Sequence, residues 1–178
     1  MPNRKIIVFA GTSADGFIAR PDGDIDWLTS RPKPEGFYDI GTFTASIDAK
    51  ILGRKTYEKS LALGARFDAK TKTYVCSTQV APANHPSGVE FISEPISSFA
   101  RRLRAADGKD IWMMGGGGII ASFLDAGAID QLIINVIPVL IGEGIPLIAP
   151  RHRHVALTLL STRAFGDGVV QLHYETTS

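Results

Sequence analysis

The chain has 178 residues, of which 44% are hydrophobic and 21% are charged, and its formal net charge is +1. This profile is typical of a globular protein long enough to bury a core, and we expect one domain over residues 1–178. The near balance of charge excludes a strongly basic surface, so we expect no nucleic-acid or membrane partner.

Cysteine usage and the N-terminus bear on the cellular compartment. Cys76 is the only cysteine, which excludes an intrachain disulfide and fits a reducing environment. The N-terminal segment MPNRKIIVFAGTS has a short apolar run that predicts a strand rather than a signal peptide. No apolar run approaches the length of a membrane span. We therefore expect a cytoplasmic protein.

Strand-like and helix-like segments alternate along the chain. After the last of them, two further strands flank Gly166-Asp167-Gly168 and predict an antiparallel hairpin. This order predicts an α/β sandwich around a mixed sheet. Strands are expected at Arg4–Ala10, Lys50–Leu52, Thr73–Cys76, Val89–Ile92, Asp110–Met114 and Ala128–Leu140, the last being the longest, and helices are expected up to about Ser46 and at Lys55–Leu63, Ser97–Ala106 and Ile119–Ala126.

Four consecutive glycines, Gly115 to Gly118, separate a predicted strand from a predicted helix. Bare glycines at this position let backbone N–H groups approach an anion, and the helix N-terminus adds partial positive charge. A P-loop is excluded because Ile119 and Ile120 stand where Lys and Ser or Thr are required. A Rossmann fingerprint also fits poorly, because the next strand is followed by no acid before Glu143. The remaining alternative is that the glycines only let the helix pack closely on the sheet.

A second candidate anion site lies in the segment ILGRKTYE, residues 51–58. Here a strand ends at Gly53, and two cations and a hydroxyl follow at a helix start, which suits a nucleotide phosphate. A glycine turn with a solvated Arg-Lys pair is the alternative. A third segment, Cys76-Ser77-Thr78-Gln79, places two hydroxyls just beyond a strand, as an ordinary turn also would.

Together these three segments, in this order, resemble the dihydrofolate reductase superfamily, and within it the reductase branch of riboflavin biosynthesis. The resemblance covers nearly the whole chain and implies a three-layer sandwich with helices on both sides of a mixed sheet. Gln131 departs from the glutamate usual in this branch. The other segments that carry the resemblance are Ser13–Ala19 with Asp22-Gly23, Asp26-Trp27-Leu28, Gly53–Glu58, Gly115–Gly117 and Pro138–Gly144.

The resemblance implies an NADPH site. Arg54 and Ser77, with Thr78 nearby, are expected to meet the adenosine 2′-phosphate. The resemblance also implies a cis peptide bond between Gly115 and Gly116. The pyrophosphate is expected between Lys55 and Thr56 on one side and Gly116, Gly117 and Gly118 on the other; Ala10, Gly11 and Ile18 are expected to bracket the nicotinamide, and Gly53, Met114, Gly115 and Ile119 to complete the cofactor site.

The substrate side matches the family less closely. Family spacing from Gly53 places Phe37 where dihydrofolate reductases carry their acid, and only lysines stand where the folate-binding arginine would fall. The candidate acids are Asp39, Asp26 and Glu35. Trp27 and Phe37 are candidate substrate-stacking residues or core aromatics. The motifs of the fused zinc deaminase are missing, and His152 and His154 lack further ligands, so we expect no metal.

The resulting hypothesis is an NADPH-dependent reductase of a small heterocyclic or carbonyl/imine substrate, similar to the riboflavin-pathway pyrimidine reductase. A weak dihydrofolate reductase and a non-catalytic NADPH-binding protein are the alternatives. The resemblance further implies a homodimer, and the apolar run Leu132–Leu140 is expected to supply its interface, through one face or through the neighbouring loop.

Overall fold

An eight-stranded sheet organises the chain, with helices on both faces. The computed structural model describes residues 4–32, 36–67 and 69–177. The strands are β1 (Ile6–Ser13), β2 (Phe17–Ala19), β3 (Ile47–Gly53), β4 (Lys72–Cys76), β5 (Val89–Ile92), β6 (Asp110–Gly115), β7 (Gln131–Ile137), β8 (Ile145–Pro146), β9 (Ala156–Ala164) and β10 (Val170–Thr177). The helices are α1 (Asp26–Thr29), α2 (Ile40–Ser46), α3 (Arg54–Ala62), α4 (Ile96–Ala105) and α5 (Gly117–Asp125), with a 3₁₀ turn at Phe37–Asp39.

The strand order is β5-β4-β3-β6-β1-β7-β10-β9. From β5 to β7 all neighbouring strands are parallel. β10 is antiparallel to β7, and β9 is antiparallel to β10. The mixed sheet and its C-terminal hairpin are therefore confirmed. Because the parallel strands share one direction, their carboxyl ends lie along one edge of the sheet.

Successive residues of one strand enter different apolar clusters, as the pleat requires. Ile6 and Val8 of β1 pack with buried residues of α4 and α5. Ile7 and Phe9 pack on the other face with Phe43 of α2. Leu52 of β3 points to that same face and packs with Tyr57 of α3. The helices thus form layers on both sides of the sheet, which confirms the three-layer sandwich.

Several predicted boundaries were wrong. β1 continues to Ser13, and α5 begins at Gly117 rather than Ile119. The run Ala128–Leu140 is not the longest strand, because β7 has seven residues and β9 has nine. The ends of that run are buried or turning backbone: Ala128 and Ile129 are buried before the strand, and the Val139 N–H bonds back to the carbonyl of Ile137. Apolar character therefore marked burial without pairing at the start of the run, whereas at its end Leu140 is exposed and unpaired.

A small ribbon of β2 and β8, together with α1, was not predicted. The ribbon joins the loop after β1 to the segment that follows β7. The Asp15 carboxylate accepts the Gly142 N–H at 2.8 Å, and the Leu147 N–H donates to the Gly16 carbonyl at 3.1 Å. The Ser13 hydroxyl and the backbone N–H groups of Gly142 and Ile141 lower the pKa of Asp15. The two loops are therefore bound to each other along much of their length.

Candidate cofactor site at the carboxyl edge of the sheet

The three predicted anion-binding segments meet at the carboxyl edge of the parallel strands. Gly53 pairs in register with Cys76, which precedes Ser77. Leu52 pairs with Gly115, the first residue of the glycine run. The turn after β3, the turn after β4 and the loop after β6 therefore lie side by side. Sequence alone indicated the three segments, and the sheet register brings them together.

The turn after β3 and the glycine loop lie close together, as the space beside their glycines shows. A Cβ at Gly116 would lie 3.1 Å from the Thr56 hydroxyl and 3.8 Å from Ile18 Cδ1. A Cβ at Gly53 would lie 3.7 Å from the side chain of Ile119. Five of the predicted cofactor residues thus form one compact group, although they come from three separate parts of the chain.

Two helices begin at this edge with a glycine N-cap. Gly53 precedes α3 and Gly116 precedes α5, both in extended conformation and without a side-chain cap. The first N–H groups of a helix require acceptors, and their partial positive charge favours an anion. Lys55 is exposed in the first turn of α3 and adds a full positive charge. A diphosphate at this edge would therefore meet the positive N-terminal ends of two helices.

The four glycines have different structural roles. Gly115 has φ of 108°, a conformation that side chains disfavour, and its peptide bond to Gly116 is cis as predicted. A Cβ at Gly117 would overlap the Pro146 carbonyl oxygen and lie 3.1 Å from that of Leu147. A Cβ at Gly118 would meet nothing within 4 Å. Close packing and access for an anion are therefore both present in one loop.

Arg54 is positioned at the start of α3 by two partners. Its Nε donates to a Glu58 carboxylate oxygen at 2.7 Å, and its Nη1 donates to the Val80 carbonyl at 2.9 Å. The side chain is 23% exposed. Val80 belongs to the loop after β4, which also carries Ser77, whose hydroxyl accepts the Gln79 N–H at 3.0 Å. Arg54 therefore reaches toward the loop that carries its predicted partner.

The predicted nicotinamide end of the site lies in the last part of β1, which still pairs with β7 but no longer with β6. A Cβ at Gly11 would lie 3.6 Å from Leu28 of α1 and 4.0 Å from the Asn135 carbonyl. The Phe9 carbonyl accepts the Trp112 indole N–H at 3.0 Å. Asn135 and Trp112 were not predicted as site residues. The single amide within the apolar run I-I-N-V-I was the available signal for Asn135.

Two of the three predicted acids are paired with arginines. Asp39 receives a hydrogen bond from Arg163 at 2.6 Å, and Asp26 pairs with Arg20 at 2.7 Å. The Arg20 guanidinium lowers the pKa of Asp26, which favours its carboxylate form. Glu35 lies outside the described residues. Asp39 and Asp26 are thus paired with arginines rather than with the group around Thr56 and Gly116, and the catalytic role of all three acids stays a prediction.

Trp27 and Phe37 belong to an apolar cluster under the C-terminal hairpin. Trp27 is buried beside Tyr38, Ile137 and Val169, and Phe37 packs on the edge of the same cluster. The Phe37 ring centroid lies 5.2 Å from that of Tyr38. This packing favours the core interpretation of Trp27, whereas half-buried Phe37 is compatible with both interpretations.

Within the described ranges, no group of three or more His, Cys, Asp or Glu side chains is arranged to hold a metal ion. None of the helices in that part of the chain combines the length and apolar character needed to cross a membrane.

Cys76 stands at the end of β4, next to the predicted phosphate-binding Ser77. Burial raises the pKa of its thiol from the ordinary 9.0 to about 12. We expect alkylation by iodoacetamide at pH 8 to be about a thousandfold slower in the folded protein than in the unfolded chain, since the thiolate fraction falls about tenfold per pKa unit. Mass spectrometry of timed samples measures both rates. Equal rates would show that the thiol is accessible and ionised.

Comparison with known proteins resolves the family. Residues 4–171 match the RibD C-terminal domain. The chain belongs to the RibD C-terminal domain family. It is 39% identical over 171 residues to the uncharacterized protein YwjB of Bacillus subtilis (strain 168), a match that covers 96% of this chain and 97% of YwjB.

Solved structures agree with the RibD C-terminal domain assignment. A Shewanella sp. PV-4 protein assigned to riboflavin biosynthesis superposes with a TM-score of 0.85 at 25% identity, covering 98% of this chain and 99% of that one. Dihydrofolate reductase of Enterococcus faecalis, solved with NADP(H), superposes with a TM-score of 0.67 at 17% identity, covering 98% and 97%. The second likeness shows the fold alone. Family and fold relate this RibD-type chain to oxidoreductases.

Proposed function

We propose that this RibD C-terminal domain protein is an NADPH-dependent reductase of a small heterocyclic or carbonyl/imine substrate. The observation that carries the proposal is the close approach of the turn after β3 to the glycine loop, at Thr56 and Gly116. Two glycine-capped helix starts therefore lie at one edge of the sheet. A dinucleotide diphosphate is the ligand that such a pair suits best.

The residues of this edge have separable roles in the proposal. Arg54 and Ser77 bind the 2′-phosphate, and the first turns of α3 and α5 bind the diphosphate. Gly11, beside Leu28 and the Asn135 carbonyl, marks the end of the site where the nicotinamide binds in this proposal. When bound, NADPH supplies the hydride. The protein holds donor and acceptor in contact and excludes water, which are general contributions of a protein to cofactor chemistry.

The test has two stages, binding and turnover. NADPH affinity is measured by calorimetry, and NADPH consumption is then followed against dihydrofolate, pyrimidine and quinone-like compounds. We expect NADPH binding and turnover of a heterocycle or carbonyl/imine compound. Turnover of dihydrofolate alone would favour a weak dihydrofolate reductase, and binding without any turnover would favour a non-catalytic NADPH-binding protein. Absence of NADPH binding would contradict all three.

We also propose that the protein is a homodimer. β9 is an edge strand exposed along its whole length, and Leu157 and Leu159 are 43% and 51% exposed. By strand register, these leucines share a face with Leu172 and Tyr174 of β10. That face continues into β7, which lies in the run Leu132–Leu140 predicted to supply the interface. A contiguous apolar face at a sheet edge favours burial against a second copy, with two-fold symmetry as the commonest arrangement.

Light scattering after size exclusion tests the dimer at micromolar concentration. The wild type is expected to elute as a dimer, and Leu159→Asp as a monomer, because a carboxylate would be buried in the apolar contact. Leu63→Asp is the matched control, since Leu63 is an exposed leucine at the end of α3, away from the hairpin. A monomeric wild type, or a dimer that survives Leu159→Asp, would refute this interface.

A further inference from the structure

Lys50 is a partly buried cation in the middle of β3, and it has no carboxylate partner among the described residues. Its one recorded interaction there is with the ring of Trp112, whose centroid lies 5.5 Å from the Lys50 ammonium. All the other buried or partly buried lysines and arginines in the described ranges are paired with a carboxylate, namely Arg4, Lys5, Arg20, Arg31, Arg54, Arg104 and Arg153.

The exception is chemically significant. A lysine ammonium has three N–H donors. An aromatic face attracts its positive charge but accepts no conventional hydrogen bond from these donors. The Lys50 ammonium is partly buried but not sealed from solvent, so a ligand as well as water can reach it. Lys50 therefore has unused capacity for an anionic acceptor, and its position shows where that acceptor would lie.

Lys50 lies between two apolar clusters on one face of the sheet. On β3, Ile47 packs in the cluster under α2, and Leu52 packs in the cluster under α3. On β6, Trp112 likewise packs in the cluster under α2, and Met114 packs in the cluster under α3. Lys50 and Trp112 are register partners, so Lys50 lies on the face of the sheet that α2 and α3 cover, between these two helices.

A hydrogen bond links this part of the sheet to the predicted nicotinamide end of the cofactor site. The Trp112 indole donates to the carbonyl of Phe9, the residue before Ala10. Lys50 itself precedes Gly53 by three residues, a strand distance of about 10 Å. Lys50 is thus set back from the helix starts that suit the diphosphate, and its ammonium lies over the Trp112 ring on the face of the sheet covered by α2 and α3.

We infer that Lys50 binds an anionic oxygen of the substrate, so that the substrate is a small planar molecule carrying a carboxylate or similar group. The inference rests on the proposed reductase function, since it places the substrate between α2 and α3. Trp112 acts as a positioning residue, because it holds the ammonium through its ring and is itself held by Phe9 and Phe43. The Phe43 and Trp112 rings lie 5.6 Å apart, nearly perpendicular.

The experiment compares matched pairs of probes that differ in charge alone. Pyrimidine-4-carboxylate, benzoate and 2-furoate are each titrated against the corresponding carboxamide, using protein saturated with NADP⁺ and calorimetric detection. The wild type is expected to bind at least one carboxylate tenfold or more tightly than its carboxamide. In Lys50→Met this preference is expected to vanish, and in Lys50→Arg to persist in part.

Lys72→Met is the matched control. Lys72 also lies over an aromatic ring, that of Tyr74 at 5.0 Å, but it is exposed and paired with Glu90. Tyr74 packs in the cluster of α4 and α5, on the opposite face of the sheet. This variant is expected to keep the wild-type preference, and Lys50→Met is expected to keep the wild-type affinity for NADP⁺.

Three results would overturn the inference: no carboxylate preference in the wild type, no carboxylate binding, or an unchanged preference in Lys50→Met. The first two need no variant, so the inference stays testable even where Lys50→Met does not fold. NADP⁺ affinity of the wild type is measured first. Its absence would contradict the proposed function, whereas NADP⁺ binding without charge preference would contradict the role of Lys50 alone.

Discussion

Replacing Arg54 by alanine is expected to weaken NADPH binding by about 10- to 150-fold and to leave NADH binding nearly unchanged. The loss corresponds to about 1.5–3 kcal/mol, typical of one charge-assisted hydrogen bond to an ionised group. Arg54 is held by Glu58 and the Val80 carbonyl at the start of α3, so little ordering is needed when a phosphate arrives. The two cofactors differ only by the 2′-phosphate, which isolates the contact.

Calorimetry with both cofactors measures the effect. Arg54→Lys is expected to retain part of the preference, because a lysine keeps the charge but lacks the planar set of donors. Arg101→Ala is the control, since Arg101 is an exposed arginine of α4, away from the carboxyl edge. If the wild type binds NADPH and NADH equally, Arg54 has no role in cofactor choice.

Replacing Gly117 by alanine is expected to lower the free energy of unfolding by about 1–3 kcal/mol, as for other overpacked buried positions. The new Cβ would overlap the backbone carbonyl oxygen of Pro146. Backbone cannot rotate away as a flexible side chain can. The Gly117 carbonyl also accepts the Ala149 N–H at 3.0 Å, so moving the helix start would strain a second contact.

Gly118→Ala is the neighbouring control. Nothing lies within 4 Å of the Cβ that it adds, and alanine is favoured over glycine in a helix by about 1 kcal/mol. Urea denaturation followed by circular dichroism is expected to show a less stable Gly117→Ala and an equally or more stable Gly118→Ala. Equal midpoints for the two variants would show that the Gly117 contact is not a tight one.

The sequence predicted the sheet, its helices and the place of the candidate site because those features depend on local patterns. Gly53 and Gly116 were visible as glycines between a strand and a helix, and the strand register then brought them together. Local pattern did not distinguish Gly117 from Gly118. One packs against Pro146, almost thirty residues further along the chain, and the other faces open space. That difference belongs to tertiary structure.

Lys50 illustrates a second limit. In the segment A-K-I-L-G a lysine at that position suggests only the solvated side of a strand. Its significance depends on burial, on Trp112 in the neighbouring strand and on the carboxylates that accompany the other partly buried cations. The ribbon of β2 and β8 was missed for a similar reason, because strands of three and two residues carry almost no periodicity.

The ribbon of β2 and β8 also bears on when the loops at the carboxyl edge gain their backbone partners as the chain emerges from a ribosome. The loop after β1 and the glycine loop are both synthesised before the segment 141–149 that binds them. Until that segment has been made, Gly16 and Gly117 lack the backbone partners that it supplies. A nascent chain stopped before Gly142 would contain every predicted cofactor residue and still lack the backbone hydrogen bonds that the segment 141–149 makes to them and to their neighbours. We therefore expect the proposed cofactor site to form late in synthesis, after the first seven strands exist.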